Sequence, residues 1–413
     1  MDYRKLFHGE SAFRRETLEA RMNDFGFKNI ARMELFLWDL ELFLQIQDRL
    51  GERIVLKGGA ATQFYLPKLV QRTSVDIDML FEGTEAEADQ TLRQIESDLS
   101  DGSGFFHFRK HRPKNPKTTL PLCTYYTDIP SVVTNAERNR KENDIQSQEL
   151  KVEFITQQEK KEYNTVSGED IFSVHSTQKY HILPLNSLFA DKLTTLGCRT
   201  IGVQDDRMDE QIKQFYDILM LTRYRRKDMD PTEIWDKYKS RAEEEWNERA
   251  NSDSNWKELR GQQFSLEKVI EDVKRQLLRY EQVDNGEDKD LKKAIHDFKG
   301  LYLNSKVDYA PANVACGAAL VRIMYELLFS DAGWDKISDI LDTEGILEFS
   351  ELTGMEKGRK VREVRDMLIE RFGESSPIPA KILKGKNPHR VFWAVVTIEN
   401  AESIRTAIEE MLK

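Results

Sequence analysis

Asp76 and Asp78 stand two residues apart in Val75-Asp76-Ile77-Asp78-Met79-Leu80-Phe81, a run that alternates apolar and acidic residues. Side chains two apart on a strand share a face, so both carboxylates project one way while Val75, Ile77 and Met79 project the other. Paired carboxylates are hard oxygen ligands suited to Mg²⁺ or Mn²⁺, and they leave coordination positions open for a phosphate-bearing ligand. A third carboxylate from a neighbouring strand would complete the set. Glu153, flanked by Val152 and Phe154, has the spacing to supply it.

The second motif is Lys57-Gly58-Gly59, which follows the short β-branched run Ile54-Val55-Leu56 and precedes a helical stretch, Ala60 to Leu66, closed by Pro67. Glycines between a strand and a helix let phosphate approach backbone N–H groups that a side chain would screen, and Lys57 adds a point charge. A tight strand-to-helix turn calls for glycine on steric grounds alone, so the weight rests on the two motifs together. A metal-binding acidic strand beside a phosphate-binding turn supplies what nucleotidyl transfer from a triphosphate requires.

The elements that must position these residues follow from periodicity. Apolar residues from Arg32 to Leu50 recur at helical spacing, with Gly51 as a stop signal, which predicts an amphipathic helix. A helix is expected from Glu85 to Leu99, and strands at Leu122 to Thr127 and Leu150 to Ile155, separated by a long polar segment that contains Asn135 to Arg140. Beyond Pro184 the pattern turns helical, with a pair at Leu185 to Leu196 and Asp209 to Leu221 that carries Lys192 and Asp217. Val391 to Ile398 reads as a late strand.

The spacing Gly-Gly, sixteen residues, Asp-x-Asp resembles the signature of the DNA polymerase β-like nucleotidyltransferase superfamily. More closely, Leu56-Lys57-Gly58-Gly59-Ala60 followed by Arg72-Thr73-Ser74-Val75-Asp76-Ile77-Asp78 resembles the AbiEii/AbiGii toxin family. Ala190-Asp191-Lys192-Leu193 and Lys213-Gln214-Phe215-Tyr216-Asp217 look like that family's later motifs, with Gln214 where an acidic residue is common. The resemblance spans Arg53 to Leu221. It implies a toxin of a toxin–antitoxin or abortive-infection system that moves a nucleoside monophosphate from an NTP to an acceptor, with the tRNA 3′ end favoured. It also implies a cognate antitoxin partner.

On that resemblance Lys192 would bind a triphosphate oxygen or the leaving pyrophosphate, and Asp217 would orient Lys192 or an arginine. Arg72 and Ser74 would meet phosphate or fix the loop; Arg72 would equally serve to neutralise the paired aspartates. Other superfamily members modify small molecules or proteins, and a nucleotide- or RNA-binding protein without catalysis is the alternative from another class.

Two basic islands, around Arg109, Lys110 and Arg112 and around Arg225 and Arg226, are candidates for RNA contact; solvated loops are the alternative. With a net charge of −10 the chain is no general nucleic-acid coat. Cys123, Cys198 and Cys316 lack metal-ligand spacing, and no His order suggests a metal site or hydrolase triad. No apolar run approaches the roughly 20 residues of a membrane span, and the N-terminus opens no signal-peptide core, so a cytoplasmic protein is expected. The fold expected is α/β (α+β): an N-terminal helical segment 1–50, a mixed-sheet nucleotidyltransferase core with helical motifs 51–230, and a mainly helical C-terminal domain 231–413.

Overall fold

The computed structural model describes residues 2–112, 121–135, 137, 146–157, 161–251, 259–330, 333–350 and 352–412. The strands are β1 (Ile54–Leu56), β2 (Asp76–Glu82), β3 (Arg109–Lys110), β4 (Leu122–Pro130), β5 (Ser147–Gln157), β6 (Asn164–Gly168) and β7 (Ser176–Ile182). Among the described residues they form one mixed sheet in the order β3-β4-β5-β2-β1-β7-β6. β2 lies at its centre, antiparallel to β1 and parallel to β5. The expected mixed-sheet core is therefore observed. Most of the polar connection between β4 and β5 lies outside the described residues.

The first seven helices are α1 (Arg15–Phe25), α2 (Ile30–Leu50), α3 (Gly58–Gln63), α4 (Glu85–Leu99), α5 (Leu185–Thr194), α6 (Met208–Arg225) and α7 (Pro231–Asn251). α4 keeps the expected bounds, and its N-terminus carries a capping box in which Thr84 and Glu87 satisfy each other's backbone N–H groups. α2 departs from the amphipathic expectation: every residue from Met33 to Ile46 is buried. One side of α2 packs on strands β1, β2, β5 and β7, and α1 covers another. The polar residues this traps are mostly satisfied. Glu41, for example, accepts from His8 Nδ1 at 2.7 Å and from the backbone N–H groups of Phe7 and His8.

The remaining helices are α8 (Leu266–Glu281), α9 (Lys289–Tyr302), α10 (Pro311–Leu327), α11 (Asp335–Ile346), α12 (Gly354–Phe372), α13 (Ala380–Leu383), α14 (Pro388–Val395) and α15 (Ala401–Leu412). α14 corrects the late strand expected at Val391 to Ile398. Every residue of it except His389 is buried, and a continuous apolar run does not by itself separate a buried strand from a buried helix. The helix is decided by its start, where Pro388 occupies the first turn and the Asn387 side chain caps the Arg390 N–H at 2.7 Å. No helix among the described residues is long and apolar enough to cross a membrane.

Candidate active site

Strand β2 delivers the acidic pair. Ile77, Met79 and Phe81 are fully buried on one face, which leaves Asp76 and Asp78 half-buried on the other. In the parallel register with β5, Asp76 pairs with Lys151 and Asp78 with Glu153, so four ionisable side chains share that face. Burial, then the charges of Glu153 and Asp76, push the Asp78 carboxyl up to about 7. Burial also raises Asp76, opposed by Lys151 and Lys213.

Glu153 is differently placed. Its carboxylate accepts from Lys151 Nζ at 2.6 Å and from Thr124 Oγ1 at 2.9 Å. Among the described residues no group of three or more His, Cys, Asp or Glu is gathered as a ready metal site. Two aspartates whose charge is held back by mutual repulsion and burial nevertheless fit a divalent cation, which would relieve both costs.

The glycine turn exists to admit the acidic strand. Gly58 has φ +70, and a Cβ built on it would collide with Asp78 Oδ2; one on Gly59 would lie 2.6 Å from Arg72 Nη2 and 3.0 Å from Ser74 Oγ. The Lys57 N–H donates to the Asp78 carbonyl at 2.8 Å, which locks the turn to β2. Lys57 Nζ pairs with Asp191 at 3.1 Å, and burial of Asp191 is more than offset by Lys57 and Arg241, so its carboxyl stays below the usual range.

Behind the turn lies a buried cluster. Arg72 donates to both oxygens of Asp217 at 2.7 Å, and Lys192 Nζ meets the same carboxylate at 2.8 Å. Lys192 also donates to Gln214 Oε1 at 2.6 Å. The amide at that departure from the usual acidic position thus serves as an acceptor for the same lysine. Burial pushes Asp217 up, and the charges of Arg72 and Lys192 hold it below the ordinary carboxylate value all the same. Arg72 therefore neutralises neither Asp76 nor Asp78; its guanidinium is bound to Asp217 and to the Thr73 carbonyl. A surface position for Lys192 is ruled out by its 2% exposure.

These parts open on a cleft of about 370 Å³ lined by Lys57, Gly58, Asp78, Glu153, Lys192 and, from outside the motifs, Arg207 and Arg249. A neighbouring space of about 360 Å³ shares Lys57 and Asp191 and adds Lys161, Lys237 and Arg241. Helix α7 thus forms a wall of the cleft. Its Arg241 reaches Asp191 at 3.4 Å and also pairs with Glu245, which binds Arg249 at 2.7 Å.

The basic islands are not brought together. Arg109 and Lys110 form edge strand β3, where Arg109 is held by Asp128 at 2.6 Å and Glu149 at 2.9 Å, and Lys110 by Glu85. Arg112 is exposed, and residues 113–120 lie outside the described residues. Arg225 stands over Tyr65, whose hydroxyl ties it to Leu183 and Asn164 beside the opposite edge of the sheet, and pairs with Asp228 at 2.9 Å. Arg226 donates to the Arg223 carbonyl.

Sequence reasoning missed Lys151, Asp191, Arg207, Arg241 and Arg249. Lys151 carries a signal, since it alternates with Glu153 on one strand face. Asp191 lies within the Ala190-Asp191-Lys192-Leu193 motif. The arginines of α7 carry none, because a charged helical segment reads the same whether it faces solvent or a cleft.

The family model described as the nucleotidyl transferase AbiEii toxin of a type IV toxin–antitoxin system matches residues 42–310. The chain belongs to this family and is a nucleotidyltransferase. The match takes in the glycine turn, the acidic strand, the Arg72–Asp217–Lys192 cluster and α7. Two solved structures are similar. One is the crystal structure of an H. pylori protein described as a nucleotidyltransferase, at 18% identity and a TM-score of 0.38, covering 72% of this chain and 99% of that one. The other is MenT4, a nucleotidyltransferase toxin from Mycobacterium tuberculosis H37Rv, at 12% identity and a TM-score of 0.35, covering 75% and 99%. No curated protein matches the AbiEii-family chain.

Proposed function

We propose that this AbiEii-family enzyme moves a nucleoside monophosphate from an NTP to RNA, with the tRNA 3′ end as acceptor, and that its cleft is the site of transfer. The observation that carries this reading is the register of β2 and β5. It aligns Asp76, Asp78 and Glu153 on one face, beside a glycine turn shaped around Asp78.

Asp76 and Asp78 would hold the Mg²⁺ or Mn²⁺ ion, which supplies charge neutralisation for the triphosphate. Glu153 stands next to them on the acceptor side. Lys57 and Gly58 border the space for phosphate, with Gly59 packed on Ser74 behind them, and Lys192, Arg207 and Arg249 supply positive charge there. Asp217 fixes Lys192 and Arg72 as a buried unit, so that the lysine is already placed when substrate arrives. Lys161 and Lys237 in the adjoining space and exposed Arg112 are the cations proposed to meet an RNA backbone; Arg241, Arg109, Lys110, Arg225 and Arg226 would have to exchange their present partners for phosphate to join them. The description of the family as a type IV system supports a cognate antitoxin as partner.

The domain reading that goes with this places the catalytic unit at 51–230, with the segments 1–50 and 231–413 supporting it. The test is incubation of purified protein with each α-labelled NTP, Mg²⁺ and a mixture of total RNA, protein and small-molecule acceptors. Label at the 3′ end of tRNA is expected; label confined to protein or small molecules would contradict the RNA assignment.

A further inference from the structure

Lys151 lies two residues before Glu153 on β5 and opposite Asp76 in the register, so it shares the acidic face with all three carboxylates. Its ammonium donates to Glu153 at 2.6 Å, and Thr124 takes the other oxygen. Both sides of the Glu153 carboxylate are thereby engaged. Among the described residues, in contrast, no hydrogen bond or ion pair reaches the side chains of Asp76 or Asp78. Glu153 is in direct contact with a cation, whereas Lys151, Lys213 and Lys57 act on Asp76 and Asp78 only through space.

We propose that Lys151 is a built-in cation for the acceptor half of the site, so that the enzyme works with a single divalent ion, held at Asp76 and Asp78. This rests on the transfer reading given above. A second divalent ion at Glu153 would have to displace an ammonium already in contact with it, against electrostatic repulsion at short range. The fixed ammonium does part of the same work: it offsets the charge of Glu153 and keeps that carboxylate turned toward the incoming hydroxyl. In the transfer, the acceptor oxygen bonds to the α-phosphorus, the bond from that phosphorus to pyrophosphate breaks, and the hydroxyl proton passes to Glu153. Lys151 is a positioning residue in this scheme, acting through Glu153.

The experiment counts Mn²⁺ retained per full-length chain by equilibrium dialysis with a non-hydrolysable nucleoside triphosphate bound. Wild type and Lys151→Arg are expected to retain one ion, and Lys151→Met two, because removal of the ammonium vacates Glu153. In parallel, Lys151→Met should lower transfer by about 10²-fold, with recovery in Lys151→Arg. Two ions in wild type, or one in Lys151→Met, would overturn the role of Lys151 and leave the transfer reading standing. No ion in wild type would overturn the metal assignment itself. Should Lys151→Met fail to fold, Lys151→Gln, which removes the charge and keeps a polar end, is counted in its place with the same two outcomes.

Discussion

Two charged clusters border the same cleft and treat their charge in opposite ways. In the Arg72–Asp217–Lys192 cluster, burial is matched by bonds: one carboxylate meets two cations, and its carboxyl sits below the ordinary value. On the β2 face, burial is unmatched, and Asp78 is pushed up to about 7. The first cluster is finished in the free protein and holds elements together. The second is left short of positive charge, as a cation-binding surface must be before its ligand arrives. Structure and chemistry can thus be separated by substitution.

The largest separation is expected at Asp76 and Asp78. Asp76→Asn or Asp78→Asn should reduce transfer by about 10³-fold or more while the melting temperature holds or rises, because a destabilising negative charge is removed. Asp217→Ala should lose both properties. It leaves Arg72 and Lys192 buried without their counter-charge, which costs about 3–5 kcal/mol in chemical denaturation as well as activity. If Asp217→Ala melted like wild type, the contrast between the two clusters would collapse.

Gly58→Ala sharpens the border between them. A left-handed conformation costs an L-residue about 1–2 kcal/mol, and the new Cβ meets Asp78 directly. Activity should fall more than stability, read as transfer rate against urea midpoint.

Asp39, on α2, is buried with neither carboxylate oxygen partnered among the described residues. Burial, then Asp76 and Asp78, raise its carboxyl well above 3.8. Such a group favours folding below its unfolded value, and that contribution is lost as pH rises toward the folded one. Asp39→Asn should therefore match wild type near pH 3.5 and melt higher than it at pH 7.5, by an amount on the order of 1–3 kcal/mol.

The smallest effect is expected at the far end of α6, where Glu344 accepts from His389 at 2.6 Å and pairs with Arg223 at 3.2 Å. Burial works against the His389 charge, but the hydrogen bonds its ring makes to Cys316 and Glu344 raise its pKa to about 9. Its stabilisation is complete below 6.5 and lost as pH climbs through 9. His389→Gln should thus lower the melting temperature at pH 6 and leave it unchanged at pH 10.

Much of this contrast was legible in the sequence. Period-two alternation put Asp76 and Asp78 on one face, and the later motifs singled out Lys192 and Asp217. What the sequence does not encode locally is which charges meet across the fold. Nothing near Arg72 distinguishes an arginine aimed at Asp217, 145 residues away, from one aimed at phosphate or at Asp76. The helix expected at Arg32 to Leu50 is present as α2, but its amphipathic reading and the strand reading of α14 failed for the same reason: burial on every side is set by what packs around a helix. Helix α7 was readable as a helix, but its place as a wall of the cleft was not.

The central claim is that the uncompensated face of β2 is a cation-dependent transfer site. Its most direct test is the rate of nucleotide transfer to RNA as Mg²⁺ is titrated into metal-stripped wild type and Asp78→Asn. The account predicts no transfer in EDTA, a saturable rise with Mg²⁺ in wild type, and almost none in the variant at any concentration. Transfer that persists in EDTA, or that survives in Asp78→Asn, would contradict it.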